Sequence, residues 1–534
     1  MLGILRCCLL FFILGAAQQV WSQAYSVKWG ELERKRGSLI YLLPNSTDDF
    51  YALRWSGGRT LGSYQLSHHE NLKLKETVRI KPIADRSIST FEGARIIGEL
   101  PVVFLSDKKA EKNHYYMQRY TANLEKDGEA IHLAEFDLER KRGKGSFDVK
   151  ISKNGKFFGV VWSVPGKKDK KHLYGFRIYD NALNLIQEGE YLLPFEPNLS
   201  TIHEHYISDQ GDYFLCVTEF SNPEKGGLFK KPSDYKSLHI FHITEDEGLQ
   251  DFELELNGKR VVALALTSDS SDVFTITGVY GEKDANGVSG IFYRKADLST
   301  GKTLQEGFQK FDEDFITENW SEQAVRRFQR KKDAGKGEPY LYSYQMRNAV
   351  FLDNGSIVGT MEQYYVQMRA NPDMRVGQTS SAYYYYYNDI IVYRVNPEGG
   401  FDWVKKIRKY QVSVNDGGPY SSYESFLSGD KLHFVFNDDT RNYDSTGVFI
   451  DTNELYTANF GRKRNVVGIA AIDLNDGAIQ RSILFNRADT KALAVPKLFS
   501  VSYKTGEMLV YSIAWRKEKM GVLRFDPPSD QDAP

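Results

Sequence analysis

The chain has 534 residues, a formal charge of −1, 41% hydrophobic residues and 13% aromatic residues. That near-neutral balance, with basic runs short and scattered, argues against nucleic acid as a partner. Only three cysteines are present, and two of them (Cys7 and Cys8) sit at the extreme N-terminus; a disulfide framework is excluded, so stability must come from a large apolar core.

Residues 1–22 read as a secretory signal. Arg6 supplies the positive start, Leu9 to Ala17 the apolar run, and Val20-Trp21-Ser22 a cleavage site before Gln23. The apolar run is too short for the roughly 20 residues of a spanning helix. On this reading the protein is exported across the inner membrane to the periplasm or cell surface, with no transmembrane segment left after processing. Arg6 is the only charge removed, so the formal charge becomes −1 − 1 = −2. Cys216 is then the only remaining cysteine, and its setting in DYFLCVTEF marks it as a buried structural thiol.

From Ser38 onward one pattern recurs: an apolar run, a turn rich in Asp, Asn, Ser or Gly, and a second apolar run. It is seen in SLIYLLPNSTDDFYALRWS (38–56), ARIIGELPVVFLSD (94–107), VKISKNGKFFGVVWS (149–163) and HYISDQGDYFLCVTEF (205–220). It returns in VVALALTSDSSDVFTITGVYG (261–281), AVFLDNGSIVGTMEQYY (349–365), SFLSGDKLHFVFND (425–438) and FSVSYKTGEMLVYSIAW (499–515). KNG, DNG and KTG are tight-hairpin turns, where Gly and Asn accept positive φ. A second hairpin follows most of the first ones. Four short strands at this period are the signature of a β-propeller, since a single small sheet buries both faces only by stacking radially on its neighbours.

The sequence therefore predicts an all-β chain forming a single β-propeller of eight four-stranded blades over 23–527, with seven blades as the alternative. The eighth repeat supplies only three strands. YSVKWGELE (25–33) has no local partner and is the right length to complete it as an N-terminal clasp, with Val27 and Trp29 turned inward and Lys28 outward. One inserted helix is expected from Asp312 to Lys336, in an insertion running to 338, from the near-helical spacing of Phe315, Ile316, Trp320, Ala324 and Phe328. Residues 528–534 read as a flexible tail.

Strands A to D of a blade run up and down, so A–B and C–D turns share one face, and B–C loops and D–A links share the other. The tight turns are nearly all of the first kind. The long segments, at 221–236, 312–336, 369–387 and 438–464, are of the second kind, and loops of that length usually carry function. The same rim carries the aromatic residues Trp320, Tyr364, Tyr365, Tyr420, Tyr423 and the run Tyr383 to Tyr387, of which Tyr385 is the central member. Asn415 and Asp416 lie in the D–A link into the seventh blade, near the expected channel mouth. These residues are the candidate ligand-binding set, because Tyr and Trp offer an apolar face with a polar tip for stacking on a peptide or a sugar.

Motifs for catalysis or metal binding are absent: the sequence has no HExxH, zinc-type CxxC pair, EF-hand loop or GxSxG elbow. His203 and His205 alternate on one face of a strand and form a weak candidate metal pair with no third ligand in view. No cofactor is expected, and no catalytic residue is assigned.

FDEDFITENWSEQ, YYYYYNDIIVYRVNPEGGFDWVKKI and VNDGGPYSSY, within 311–438, resemble a set of uncharacterised secreted propeller-like proteins from Gram-negative bacteria. The resemblance implies an envelope protein and brings no site residues. The C–D turn at Ala471 to Gly477 resembles the repeat of quinoprotein-like propellers, a group that includes pyrroloquinoline-quinone dehydrogenases and non-enzymatic assembly scaffolds. The tryptophan ending that repeat and the adjacent disulfide are absent here, so the resemblance implies the scaffold side. The expected function is a binding or scaffold module for a protein, peptide or glycan, acting through the loop-rich face. The alternative is a polysaccharide hydrolase or lyase with its site at the channel mouth.

Overall fold

Eight antiparallel sheets, each built on four strands, follow one another and close into a ring. The computed structural model describes residues 25–525 apart from 58–61, 139–144, 166–170, 197–198, 222–234, 245–247, 269–272, 283–286, 298–299, 319, 321, 335–339, 374–377, 453 and 503. The signal reading at 1–22, the tail at 528–534 and most of the segment at 221–236 lie outside the described residues.

Blades 1 to 7 span 38–79, 90–137, 146–192, 200–254, 259–310, 344–407 and 423–486. Blade 8 takes Ser500–Ser502, Glu507–Ala514 and Lys517–Phe525 from the C-terminal end and Tyr25–Trp29 from the N-terminal end. The propeller is therefore an eight-bladed one with the expected clasp.

Burial follows from the ring. Both faces of a blade are covered by neighbours, so its middle strands are apolar throughout rather than alternating. Phe157–Val164 and Asn465–Asp473 are buried along most of their length, while the outer strand Leu185–Leu192 alternates. Cys216, on such a middle strand, is fully buried and free, and burial raises its thiol pKa. The tight turns are built as their residues require: Gly155 takes φ +68° in the KNG turn and donates its N–H to the Ser152 carbonyl at 2.9 Å.

Closure rests on the clasp and on a buried ion pair. The clasp register runs from Tyr25↔Phe525 to Trp29↔Gly521. Tyr25, Val27 and Trp29 pack against the shared core of blades 7 and 8, and Trp29 meets Phe485 edge-on at 5.1 Å. Lys28 points away and reaches Asp48 of blade 1 at 2.8 Å. Between blades 1 and 8, Arg54 meets Glu518 at 2.8 Å with both side chains almost wholly buried, so loss of one partner alone would cost roughly 3–5 kcal/mol.

Two parts of the elaborated face differ from expectation. The insertion after blade 5 holds two helices, α1 (Glu313–Thr317) and α2 (Glu322–Asp333), rather than one. Lys406 of blade 6 stands 4.4 Å over the Phe315 ring and 3.2 Å from Glu318, fixing the chain where α1 ends. The long loop expected at 369–387 is instead a continuation of two strands, Ile357–Asp373 and Gln378–Val395, paired from Tyr364↔Tyr387 out to Asp373↔Gln378. The tyrosine run is a good β-former, and Gln411–Val414 adds along its edge. Among the described residues, no helix is long and apolar enough to cross a membrane.

Candidate functional site at the channel mouth of blades 6 to 8

The extended hairpin of blade 6 brings aromatic residues to the rim in two layers. Consecutive strand residues face opposite ways, so Tyr364 and Tyr365 serve different surfaces. Tyr364 packs on Tyr387 with ring centroids 4.6 Å apart, and Tyr365 stacks on Tyr386 at 4.6 Å and 13° on the other side.

Between the two layers lies a buried polar hub. The strand pairing of blade 6 is interrupted at Arg347 and at Gln363, each left out of register by a bulge; bulges re-aim side chains in this way. Glu362 is fully buried. It accepts from Lys409 Nζ at 2.7 Å, Ser422 Oγ at 2.7 Å and Arg347 Nε at 3.0 Å. Lys409 Nζ also donates to the Tyr387 carbonyl at 2.9 Å and to Gln411 Oε1 at 3.1 Å. Burial would raise the Glu362 pKa, but the Lys409 and Arg347 charges outweigh it and hold the carboxyl below its usual range. Ser422 sits in the left-handed region at φ +72°; its N–H to Gln411 Oε1 at 2.6 Å and its hydroxyl to Glu362 hold it there.

On the channel side of this hub is a cavity of about 550 Å³, lined by Gln345, Arg347 and Asn348 of blade 6, Tyr364 and Tyr387 of the hairpin, Ser422 to Ser425 of blade 7, and Lys497. Lys497 is delivered by a break in the inner strand of blade 8, where a short 3₁₀ turn at Pro496–Leu498 separates Leu493–Ala494 from Ser500–Ser502. Its ammonium donates to the Tyr387 hydroxyl at 2.7 Å and lies 4.1 Å from that ring's centre. Burial pushes the Lys497 pKa down to about 8 and the Glu424 pKa up to about 7.

The cavity adjoins another lined by the inner strands of blades 3 to 6. This second space of about 630 Å³ shares Arg347 and Asn348 and is lined further by Lys150, His203, Glu204 and His205. Burial raises the Glu204 pKa to about 7. On the outer side of the hub, a cavity of about 420 Å³ is lined by Trp320, Tyr342, Tyr365, Asn388, Lys406, Lys409 and Tyr410, among others.

The candidate residues divide accordingly. Tyr364 and Tyr423 line the inner cavity, and Trp320 and Tyr365 the outer one. Tyr385 pairs with Val366 and Ser413 within the extended sheet. Asn415, at φ +56°, exchanges bonds with the Tyr383 backbone at 2.8 and 2.9 Å, and Asp416 accepts from Gly418 N at 2.8 Å; both shape the link. Tyr420 packs on Phe460 at 5.8 Å. His203 and His205 spend a ring nitrogen each on a hydroxyl, Thr218 Oγ1 and Tyr213 OH, both at 2.6 Å. A bulge at His203 breaks the alternation that would align the two, and among the described residues no third ligand joins them. The sequence reading missed Arg347, Glu362, Lys409, Glu424 and Lys497, which are charged residues in segments with no motif.

No family model matches the chain, and no curated protein does. Solved structures similar to it include the β-propeller domain of the Trilobed protease from Pyrococcus furiosus, with 9% identity over 83% of this chain and 97% of that one, TM-score 0.33. The WD40 domain of SCAP from fission yeast is similar at 9% identity over 95% and 99%, TM-score 0.36. A protein of unknown function from Bacteroides caccae is similar at 10% identity over 68% and 94%, TM-score 0.27. Likeness at this level concerns the fold alone.

Proposed function

We propose that the protein is a non-catalytic binding module that takes a negatively charged segment of a polar polymer, glycan or extended peptide, at the channel mouth of blades 6 to 8. The observation that carries this reading is the inner cavity, where two cations, Arg347 and Lys497, stand among the rings of Tyr364, Tyr387 and Tyr423. Glu362 is paired with both Lys409 and Arg347, one negative charge against two positive ones, and Lys497 adds a third cation, which leaves a positive excess beside aromatic faces suited to stacking. The proposal includes an extracytoplasmic location, on the strength of the N-terminal pattern.

The test is calorimetric titration of the mature protein with an oligogalacturonate, a neutral cello-oligosaccharide and a Glu-rich peptide. Binding of one acidic probe, lowered at least tenfold by Lys497→Gln and by Arg347→Gln but not by Lys153→Gln on the opposite face, is the expected result. Equal binding of the neutral saccharide, or binding indifferent to both cavity variants, would contradict it.

A second reading, a polysaccharide hydrolase or lyase, is favoured by one observation. Glu424 and Lys497 line the same cavity with pKa values of about 7 and about 8, both moved toward neutrality as acid–base residues are. The same titration mixtures, analysed for product size by mass spectrometry, separate the two readings: cleavage that Glu424→Gln abolishes would establish the enzyme.

A further inference from the structure

The outer two strands of blade 2 carry a group of side chains that the channel mouth does not use. Strand C (Lys112–Tyr120) supplies His114, and strand D (Lys126–Asp137) supplies His132 and Glu135. In a regular strand, residues three apart face opposite sides. Here the register passes from Tyr115↔Ala134 to Tyr116↔His132, leaving Leu133 as an extra residue. That bulge returns His132 to the face that carries Glu135, and Glu135 lies directly opposite His114.

The three ligand-type atoms form a near-equilateral triangle. His114 Nδ1 is 3.0 Å from Glu135 Oε2 and 3.3 Å from His132 Nε2, and His132 Nε2 is 3.6 Å from Glu135 Oε2. A tetrahedral zinc-type ion at about 2.1 Å from its nitrogen and oxygen ligands sets those ligands about 3.4 Å apart, which the three edges bracket. His114 Nδ1 carries either a proton or a lone pair, so one ordinary hydrogen bond through it satisfies only one of its two edges, and the 3.6 Å edge is an ion-pair distance rather than a hydrogen bond. Among the described residues, this is the one group of three such ligands within reach of each other.

The surroundings hold the ligands in place. Lys112 donates to Glu135 Oε1, which leaves Oε2 turned to the imidazoles, the kind of outer partner that orients metal ligands. Tyr116 meets the His132 ring edge-on at 5.2 Å. The His132 and Glu135 side chains remain 39% and 32% exposed, so solvent reaches the fourth position.

We propose that His114, His132 and Glu135 form a binding site for a divalent transition ion of the zinc class, with the fourth position open to water or an exogenous ligand. The test is titration of chelator-stripped mature protein with Co²⁺, read by its absorbance, followed by competition with Zn²⁺. The expected result is one equivalent bound with a tetrahedral spectrum and displaced by zinc. His114→Ala/His132→Ala should abolish it, and Glu135→Gln should weaken it by about tenfold or more. His172→Ala, in blade 3, should leave it unchanged. Zinc should also raise the Tm of the wild type and of Glu99→Gln, a folded surface control, but not of the double variant. Absence of stoichiometric binding to the wild type, or binding that survives the double substitution, would overturn the proposal.

Discussion

His433 is fully buried in blade 7, with neither ring nitrogen hydrogen-bonded and its ring 4.6 Å from Phe525 and 5.6 Å from Tyr25 of the clasp. Burial, with a smaller contribution from Lys431, lowers its pKa to about 3. The unfolded value is near 6.5, so between these two pH values the unfolded chain binds the extra proton. The contribution to stability is full above pH 6.5 and is lost as pH falls toward 3, at up to roughly 1.4 kcal/mol per pH unit. His433→Phe should therefore flatten the loss of stability between pH 7 and pH 5, measured by urea midpoints at each pH. Slopes that stay equal for wild type and variant would show that His433 does not carry this penalty. The residue scale is also where the sequence was least legible. Tyr364, Tyr365, Tyr423 and Trp320 line cavities, whereas Tyr385 of the same rim pairs within the sheet and Tyr420 packs on Phe460. Asn415 and Asp416, candidate ligands by sequence, bond the local backbone, an ordinary use of such side chains in turns. Lys497 and Glu424 lie 73 residues apart (497 − 424) in unremarkable segments, and the stacking of blade 8 on blade 7 brings them together.

Tyr25–Trp29 shows what an element adds. Its rings and Val27 are half-buried against blades 7 and 8. At about half of the 1.5–3 kcal/mol for a fully buried large apolar side chain, the three together contribute roughly 3 kcal/mol. Without this strand, Lys517–Phe525 becomes a free edge with unpaired backbone groups. Deletion of 23–34 should lower the Tm by several degrees and raise light scattering on heating; a protein starting at 35 that melts like one starting at 23 would contradict closure by the clasp. This element was legible from its strand length and missing partner. The blade 6 hairpin was not, because its length depends on the edge strand Gln411–Val414 that pairs with the tyrosine run, which is a contact between distant segments. Bulges at Leu133, His203, Arg347 and Gln363 were invisible for a related reason: each depends on which residue the neighbouring strand presents.

At the scale of the whole molecule, strand parity sorts the chain's surfaces. The repeat and the alternation of turns made the eight blades and the two faces readable in advance, since both depend on local periodicity. The extended hairpin, α1 and α2 and the link at 415–422 are B–C or D–A segments and share one face, while Lys497 comes from the break in the inner strand of blade 8. The A–B and C–D turns, such as 152–156 and 353–356, stay short on the other. That asymmetry is the basis for assigning function to the mouth of blades 6 to 8. Hydrogen–deuterium exchange on the protein from residue 23 onward, with and without the acidic probe that binds, tests the assignment most directly. The account predicts slowed exchange at 342–348, 362–369, 383–388, 422–425 and 494–499, with 152–156 and 353–356 unchanged. Protection confined to those short turns, or to the outer strands, would contradict it.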